Sequence, residues 1–336
     1  MRSDCFVSVV VPLRNNTTII KSFVQEVLEV LRLNYANYEL ILADDFSSDT
    51  TAEEVEKLLS KFECIRYIRL SRMSGIEIAI TAGLDSSIGD FVVAMESEFD
   101  PPAEIPKMVD LARSKQGIVI GVVDKKVQYG FAVRVLSPFF NFLCNKLMEF
   151  RFPKNASYFW VLPRQAVDSI TRIRQKSRYF RVFVSNIGYR TVLYSYKQIP
   201  QSGKFKKWGI FPALNLGFSM IISNSMQPLR LISILGIATS AISLLLASGI
   251  VVYRFATVQI VPGWVGISLW IMSLFFINFI ILAVLCEYVG RIHEETKEKP
   301  LYNIMEEKNS SVVIADEFRR NVFEESIDIV DDTKGN

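Results

Sequence analysis

The segment GDFVVAMESEFDPPAEIP, residues 89–106, carries an apolar run that stops on two carboxylates, Glu96 and Glu98, with Asp100 and two prolines directly after them. A second acidic group, Asp44, Asp45 and Asp49 in ADDFSSDTT, also follows an apolar run, as does the polar trio Arg14, Asn15 and Asn16 in VSVVVPLRNN. Ionised carboxylates offer acceptor oxygens only, so such groups suit cations and N–H or O–H donors. Each group also has a plainer local reading. Glu96 and Glu98 would be a solvated strand end, and Asp44 and Asp49 turn and helix-cap residues.

These groups have to be positioned by the elements that precede them. FVSVVVPL reads as a buried strand, residues 19–33 have apolar side chains at helical spacing, and YELILADD returns to a strand. DTTAEEVEKLLSKF follows as a helix with Asp49 and Thr50 as cap candidates, then IRYIRLS as a strand, a helix around GIEIAITAGLDSS, and the strand FVVAMESE. Strands and helices in alternation predict a parallel or mostly parallel α/β sheet in the first half of the chain. Ligands of such sheets bind at the carboxyl ends of the strands, where RNN, ADDFSSD and ESEFD all fall.

With 336 residues, 50% hydrophobic and 22% charged, and a mean hydropathy of +0.26, the chain is too apolar for an ordinary soluble domain. A soluble part joined to a membrane part accounts for both numbers. Residues 231–253 and 265–286 are uncharged and each long enough to cross a bilayer, which predicts a transmembrane hairpin. A buried helical hairpin of a soluble core is the alternative. Lys204, Lys206, Lys207 and Arg230 precede the first span and Arg291, Lys297 and Lys299 follow the second, against Arg254 alone between them. The positive-inside rule then puts both termini and the α/β domain in the cytoplasm of a multi-pass inner (plasma) membrane protein. The expected division is an α/β domain over 1–203, an interfacial juxtamembrane segment over 204–230, the hairpin over 231–286, and a solvated cytoplasmic tail over 287–336 with at most one short helix.

Four scattered cysteines and a single histidine, His293, argue against zinc sites and disulfide frameworks and for a reducing compartment. The N-terminus runs straight into a strand pattern with no signal-peptide h-region. A net charge of +3 gives no reason to expect nucleic acid as a partner.

In combination, these segments resemble glycosyltransferase family 2, in its membrane-anchored polyprenyl-phosphate branch typified by dolichyl-phosphate mannose synthase and bacterial undecaprenyl-phosphate sugar transferases. The resemblance covers about the first 302 residues. VSVVVPLRNN is similar to the family's first strand and nucleotide loop, ADDFSSDTT to its D-D-G-S-x-D-x-T, and SRMSGIEIAITAG to the helix after its third strand. Residues 89–106 stand where the family has G-D-x-x-x-x-x-D-A-D-L-Q-x-P-P, and EYVGRIHEETKEKPLY is close to its post-membrane segment.

The resemblance implies a GT-A type α/β domain that transfers a sugar from a nucleotide donor, UDP-linked by preference, to a polyprenyl phosphate, with inversion. It implies a homo-oligomer at the bilayer and a Mg2+ or Mn2+ ion that offsets the charge of the departing diphosphate. On this sequence the implied nucleotide site is Pro12, Asn15, Asp45, Arg72 and Glu96, with Asp45 accepting from the base. The metal ligand is Glu98, and Glu96, Glu98 and Tyr158 are the catalytic positions. Arg134 and Ser137, assisted by Lys125 and Lys126, would grip the lipid phosphate. Lys204 and Lys206 fall in a loop that closes over the donor, although anionic lipid headgroups would account for the same charges.

Six departures from the family pattern stand out. The D-x-D is Glu96-Ser97-Glu98, one methylene longer at each acid and with a shorter loop after it; Phe46 replaces a glycine; Arg14 and Asn16 replace an aromatic and a glutamate; and Tyr158 and Trp160 fall near the family's base and arginine positions. A phosphate acceptor, ionised near neutrality with a second pKa of about 6, attacks without a base, so Tyr158 is compatible with transfer. A second reading of the same departures is a catalytically weakened homologue serving as a membrane-bound binding or scaffold subunit.

Overall fold

A computed structural model describes residues 2–124, 155–172, 188–201, 227–256, 263–296 and 300–310. Strand β1 (Val7–Leu13), helix α1 (Ile20–Asn34), β2 (Tyr38–Asp44), α2 (Thr51–Leu59), β3 (Ile65–Leu70), α3 (Ile76–Ser86), β4 (Phe91–Ala94), α4 (Ile105–Lys115) and β5 (Ile118–Val123) follow in alternation. Then come β6 (Ala156–Pro163), α5 (Arg164–Arg172), β7 (Thr191–Tyr196), two long helices α6 (Gln227–Ala256) and α7 (Trp264–Thr296), and β8 (Ile304–Asn309).

The eight strands among the described residues form one sheet in the order β7-β5-β6-β4-β1-β2-β3-β8. Strands β4, β1, β2 and β3 are mutually parallel, as the unbroken apolar runs predict. β6 lies antiparallel between β4 and β5, and β8 antiparallel on β3, so the whole sheet is mixed. The chain leaves β1 for β2 on one side and returns to β4 on its other side. The edge above β1 is therefore a switch point, the place where open α/β sheets bind ligands.

Helical spacing puts Ile20, Phe23, Val24, Val27, Leu28 and Leu31 on one face of α1, and all six are buried. They join β1, β2 and α4 in one core cluster, whereas α3 and α5 pack with β4, β5 and β6 in another. Two glycines permit close approaches. A side chain at Gly83 would start 2.2 Å from Val10, and one at Gly89 would start 2.6 Å from the Ser8 nitrogen, so α3 lies tight on β1 and the entry to β4 is fixed. Gly89 N–H donates to Ser8, whose hydroxyl in turn donates to the buried Glu39 carboxylate. Asp90 accepts from Phe6 N–H, which explains why a Gly-Asp pair precedes the strand that ends on Glu96.

Two regions differ from the sequence-based expectation. Residues 304–309, expected in a solvated tail, form β8, because β3 would otherwise leave unpaired backbone groups at the sheet edge and this segment meets them in antiparallel register. Tyr302 and Ser310 fasten the two ends of that strand, to Asp85 and to the Ile65 backbone. Helices α6 and α7 are longer than the uncharged spans, starting at Gln227 and running on to Thr296. Among the described residues one stretch, Ser273–Gly290, is apolar and long enough to cross a membrane by length and composition, so the two-span hairpin goes beyond what the helices themselves establish. Most of segment 204–230 lies outside the described residues, with Gln227–Arg230 already helical.

Candidate active site

The loops after β1 and β2 are zipped together by side chains. Asn15, at φ +55, donates its N–H to the Ser47 hydroxyl and accepts from Ser48 N–H. Asn16 N–H donates to Thr51, and its side-chain oxygen accepts Arg14 N–H at 2.6 Å. Asp49 accepts from Thr17 and from both the N–H and hydroxyl of Thr51. Burial raises the Asp49 pKa, but the threonine hydrogen bonds outweigh it and leave the net shift downward. Asp44, fully buried, receives the N–H and hydroxyl of Ser47 and the hydroxyl of Tyr67. Asp44 is thus the turn residue that its local reading implied, whereas the residue capping α2 is Thr50, with no side-chain cap hydrogen bond, and Asp49 instead ties Thr17 to Thr51.

Asp45 is directed at the other neighbouring loop. Its two oxygens accept Ser74 N–H at 2.6 Å and Gly75 N–H at 2.9 Å, and the Arg14 guanidinium stands 3.9 Å away. An ionised carboxylate has capacity for more than two donors, so these bonds orient Asp45 while leaving acceptor capacity toward a ligand. Phe46 keeps a positive φ, +56, where the resembling sequences have glycine, and its half-exposed ring meets the Arg69 guanidinium at 5.8 Å. Pro12 is a buried strand residue paired opposite Ala43, and Arg72 is exposed in the β3–α3 loop. Asn15, Asp45 and Arg72 therefore share the carboxyl edge of the sheet, while Pro12 supports it from within.

After β4 the chain turns sharply. Asp100 N–H donates to the Glu96 carbonyl, and Glu96 N–H returns to the Asp100 carboxylate at 2.8 Å. The same buried carboxylate accepts from the Tyr196 hydroxyl and from Gln198. Beyond β7, Ile199 N–H reaches the Phe99 carbonyl and Gln201 N–H the Glu98 carbonyl. Burial lifts the Asp100 pKa to about 6, against the lowering effect of its hydrogen bonds. Asp100, the residue beside the expected pair, is thus what shapes the turn carrying Glu96 and Glu98. Its sequence signal was the acid just before Pro101-Pro102.

Glu98 is half-buried at this edge, and its carboxylate makes no hydrogen bond or ion pair among the described residues. No group of three His, Cys, Asp or Glu side chains in those residues could enclose a metal. One or two carboxylates plus substrate phosphate oxygens are a normal Mg2+ set, so Glu98 fits a divalent ion shared with a bound diphosphate and does not fit a protein-only cage.

Tyr158 lies on β6, two residues before Trp160, the residue paired with Ala94 at the end of β4. Its hydroxyl donates to Glu77 at 2.8 Å. Trp160 is fully buried and donates its indole N–H to the Ser157 carbonyl, a core role. Glu77, in the first turn of α3, was not singled out in the sequence, and its contact with Tyr158 joins residues far apart in the chain. Lys125, Lys126, Arg134, Ser137, Lys204 and Lys206 lie outside the described residues.

Residues 8–171 match the family described as Glycosyl transferase family 2. The chain carries a glycosyltransferase family 2 domain. Its mixed sheet is GT-A-like, and by family it is a glycosyltransferase. The uncharacterized glycosyltransferase YkcC of Bacillus subtilis is 29% identical over 298 residues, covering 88% of this chain and 92% of that one. A bactoprenol glucosyl transferase of Shigella phage SfX is 26% identical over 306 residues, covering 90% of this chain and 99% of its own length. Among solved structures, glucosyl-3-phosphoglycerate synthase from Mycobacterium tuberculosis, in complex with Mn2+, UDP-glucose and phosphoglyceric acid, is 17% identical with a TM-score of 0.43. It covers 65% of this chain and 78% of its own, a likeness too distant to add to the sheet order itself. These relatives match the chain through the two long helices as well as the family 2 domain.

Proposed function

We propose that this glycosyltransferase moves a sugar from a nucleotide-sugar donor, UDP-linked by preference, to a polyprenyl phosphate at the cytoplasmic face of the membrane, with inversion at the anomeric carbon. The lipid-linked sugar would serve cell-surface glycan synthesis or modification. The observation that carries this reading is the match to a bactoprenol glucosyl transferase along 90% of this chain and 99% of that one. Bactoprenol is a polyprenol, and the relationship extends past the family domain into the helical part.

In this reading Asp45, held by the Ser74 and Gly75 N–H groups, accepts from the base. Glu98 holds a Mg2+ or Mn2+ ion together with the donor diphosphate; when bound, the ion offsets charge developing on the departing nucleoside diphosphate. An acceptor phosphate oxygen forms the new bond to the anomeric carbon as the bond to the diphosphate oxygen breaks. That nucleophile is already ionised near neutrality, so the step needs no protein base. Lys125, Lys126, Arg134 and Ser137 bind the lipid phosphate, and Lys204 and Lys206 close over the donor. The spans 231–253 and 265–286 form the membrane hairpin, supported by their lack of charge and by exposed Ile234, Leu245, Phe275, Phe276 and Phe279. Both termini are cytoplasmic, and the protein is a homo-oligomer.

Purified protein supplied with UDP-glucose and undecaprenyl phosphate tests this directly, with Mg2+ or Mn2+ present or chelated and with Glu98→Gln alongside. Metal-dependent formation of lipid-linked glucose, reduced at least ~100-fold in Glu98→Gln, is the expected result. Nucleotide-sugar binding without any transfer to the lipid would favour the scaffold reading, and full activity in Glu98→Gln would remove that residue from the mechanism.

A further inference from the structure

We infer that Asp100 and Tyr196 are positioning residues for the divalent ion: they fix the backbone of the turn after β4, and with it the place from which the Glu98 carboxylate reaches the metal. The inference rests on the nucleotide-sugar reading above, in which Glu98 shares that ion with the donor diphosphate.

The sheet itself stops holding the chain just before Glu96. The pairing of β4 with β1 and with β6 ends at Ala94, and the last bond to β1 runs from Met95 N–H to the Val10 carbonyl. Beyond that point Asp100 closes the turn. Its own N–H donates to the Glu96 carbonyl, and its Oδ2 accepts Glu96 N–H at 2.8 Å. Its Oδ1 accepts from the Tyr196 hydroxyl and from Gln198. One buried acid thus joins the turn to the end of β7 through its two separate oxygens.

Tyr196 is in turn held by the core. Its ring meets Phe159 of β6 edge to face, with centroids 5.3 Å apart, and it passes Gly121 of β5, where any side chain would start 2.8 Å from it. Strand β7 pairs with β5 as far as this residue. Past it, Ile199 N–H reaches the Phe99 carbonyl and Gln201 N–H the Glu98 carbonyl, each at 2.9 Å. The backbone on both sides of the Glu98 side chain is therefore tied, by the Glu96–Asp100 closure and by its own carbonyl. Metal ligands need supports that are themselves locked by packing and hydrogen bonds, and this turn takes its support from β5, β6 and β7 rather than from the strand that leads into it.

The test measures Mn2+ binding to the full-length protein at saturating UDP, with GDP in parallel, by electron paramagnetic resonance of the free ion; a cooperative thermal transition shows that each variant is folded. Tyr196→Phe removes one donor from Asp100 and should weaken Mn2+ binding at least ~5-fold. Tyr194→Phe, which removes a hydroxyl donated to Glu104 from the same strand, should leave it unchanged. Asp100→Ala should weaken it further. Asp100→Asn keeps an acceptor oxygen and should fall between wild type and Asp100→Ala, and it decides the matter if either of the other two does not fold. Glu98→Asp draws the carboxylate back by one methylene, and a tied turn cannot follow it. That substitution should weaken Mn2+ binding ~10-fold or more in the wild-type background and distinctly less in Tyr196→Phe, a coupling that lowered stability alone would not produce. Equal Mn2+ affinity in wild type, Tyr196→Phe and the Asp100 variants, or equal effects of Glu98→Asp in the two backgrounds, would overturn the inference alone. A wild-type protein that binds nucleotide equally well with and without Mn2+ would remove Glu98 as a metal ligand and this inference with it, and one that binds neither UDP nor GDP would overturn the nucleotide-sugar reading itself.

Discussion

The Tyr196 hydroxyl donates to the carboxylate of Asp100, a residue 1% exposed, and so ties the end of β7 to the turn that carries Glu96 and Glu98. Two elements far apart in the chain meet at one buried acid. Because that acid also receives the Glu96 N–H, its protonation state bears on the shape of the turn itself.

The first prediction concerns pH. Burial raises the Asp100 pKa from 3.8 to about 6, so the folded state favours the protonated acid more than the unfolded state does. The stability this group contributes is fully present below the unfolded value and is lost as pH rises through about 6. Thermal unfolding of the detergent-solubilised protein between pH 4 and 7.5 should show this loss, and Asp100→Asn should flatten it. An unchanged pH slope in the variant would rule out Asp100 as its source.

Asp49 should behave with the opposite sign. Its pKa is lowered in the fold by hydrogen bonds from Thr17 and Thr51 that outweigh burial, so its contribution is present above the ordinary carboxylate range and is lost as pH falls through the native pKa. Asp49→Ala unties the loops after β1 and β2 and should cost about 1–3 kcal/mol in denaturant unfolding at pH 7. The same variant should bind nucleotide more weakly, because Asn15 and Asp45 sit on the loops it joins.

Phe46 gives a test of backbone strain. A bulky residue at φ +56 costs about 1 kcal/mol or more, which glycine relieves and alanine does not. Both substitutions lose the contact between the ring and Arg69. Phe46→Gly should therefore be at least as stable as Phe46→Ala, reversing the usual order for these two residues, as measured by denaturant midpoint.

The strand after the long helices can be removed cleanly. A chain ending at Ser310 keeps β8 and its bonds to β3, whereas one ending at Asn303 exposes the β3 edge and loses the Lys308–Glu56 and Ser310–Ile65 ties. The chain ending at Ser310 should keep the melting temperature of the full chain, and the one ending at Asn303 should lower it by several degrees and aggregate more readily. Equal melting temperatures would show that β8 adds nothing to the sheet.

The sequence by itself determined the strand–helix alternation through β4, the parallel core, and the carboxyl edge as the place where Asp45, Glu96 and Glu98 gather. Those features follow from apolar periodicity and from where it stops, which are local properties. Asp44 was legible for the same reason, since turn chemistry acts within a few residues. Only the tertiary structure decided that Asp100 shapes the acidic turn, because its partners Tyr196 and Gln198 lie a hundred residues away in the chain and are brought beside it by the β5–β7 pairing. It also decided that Glu77 meets Tyr158 and that residues 304–309 are a strand rather than a tail. In each case the deciding contact joins distant segments, and an unpaired sheet edge or a buried acid finds its partner by position in space, which no local pattern encodes.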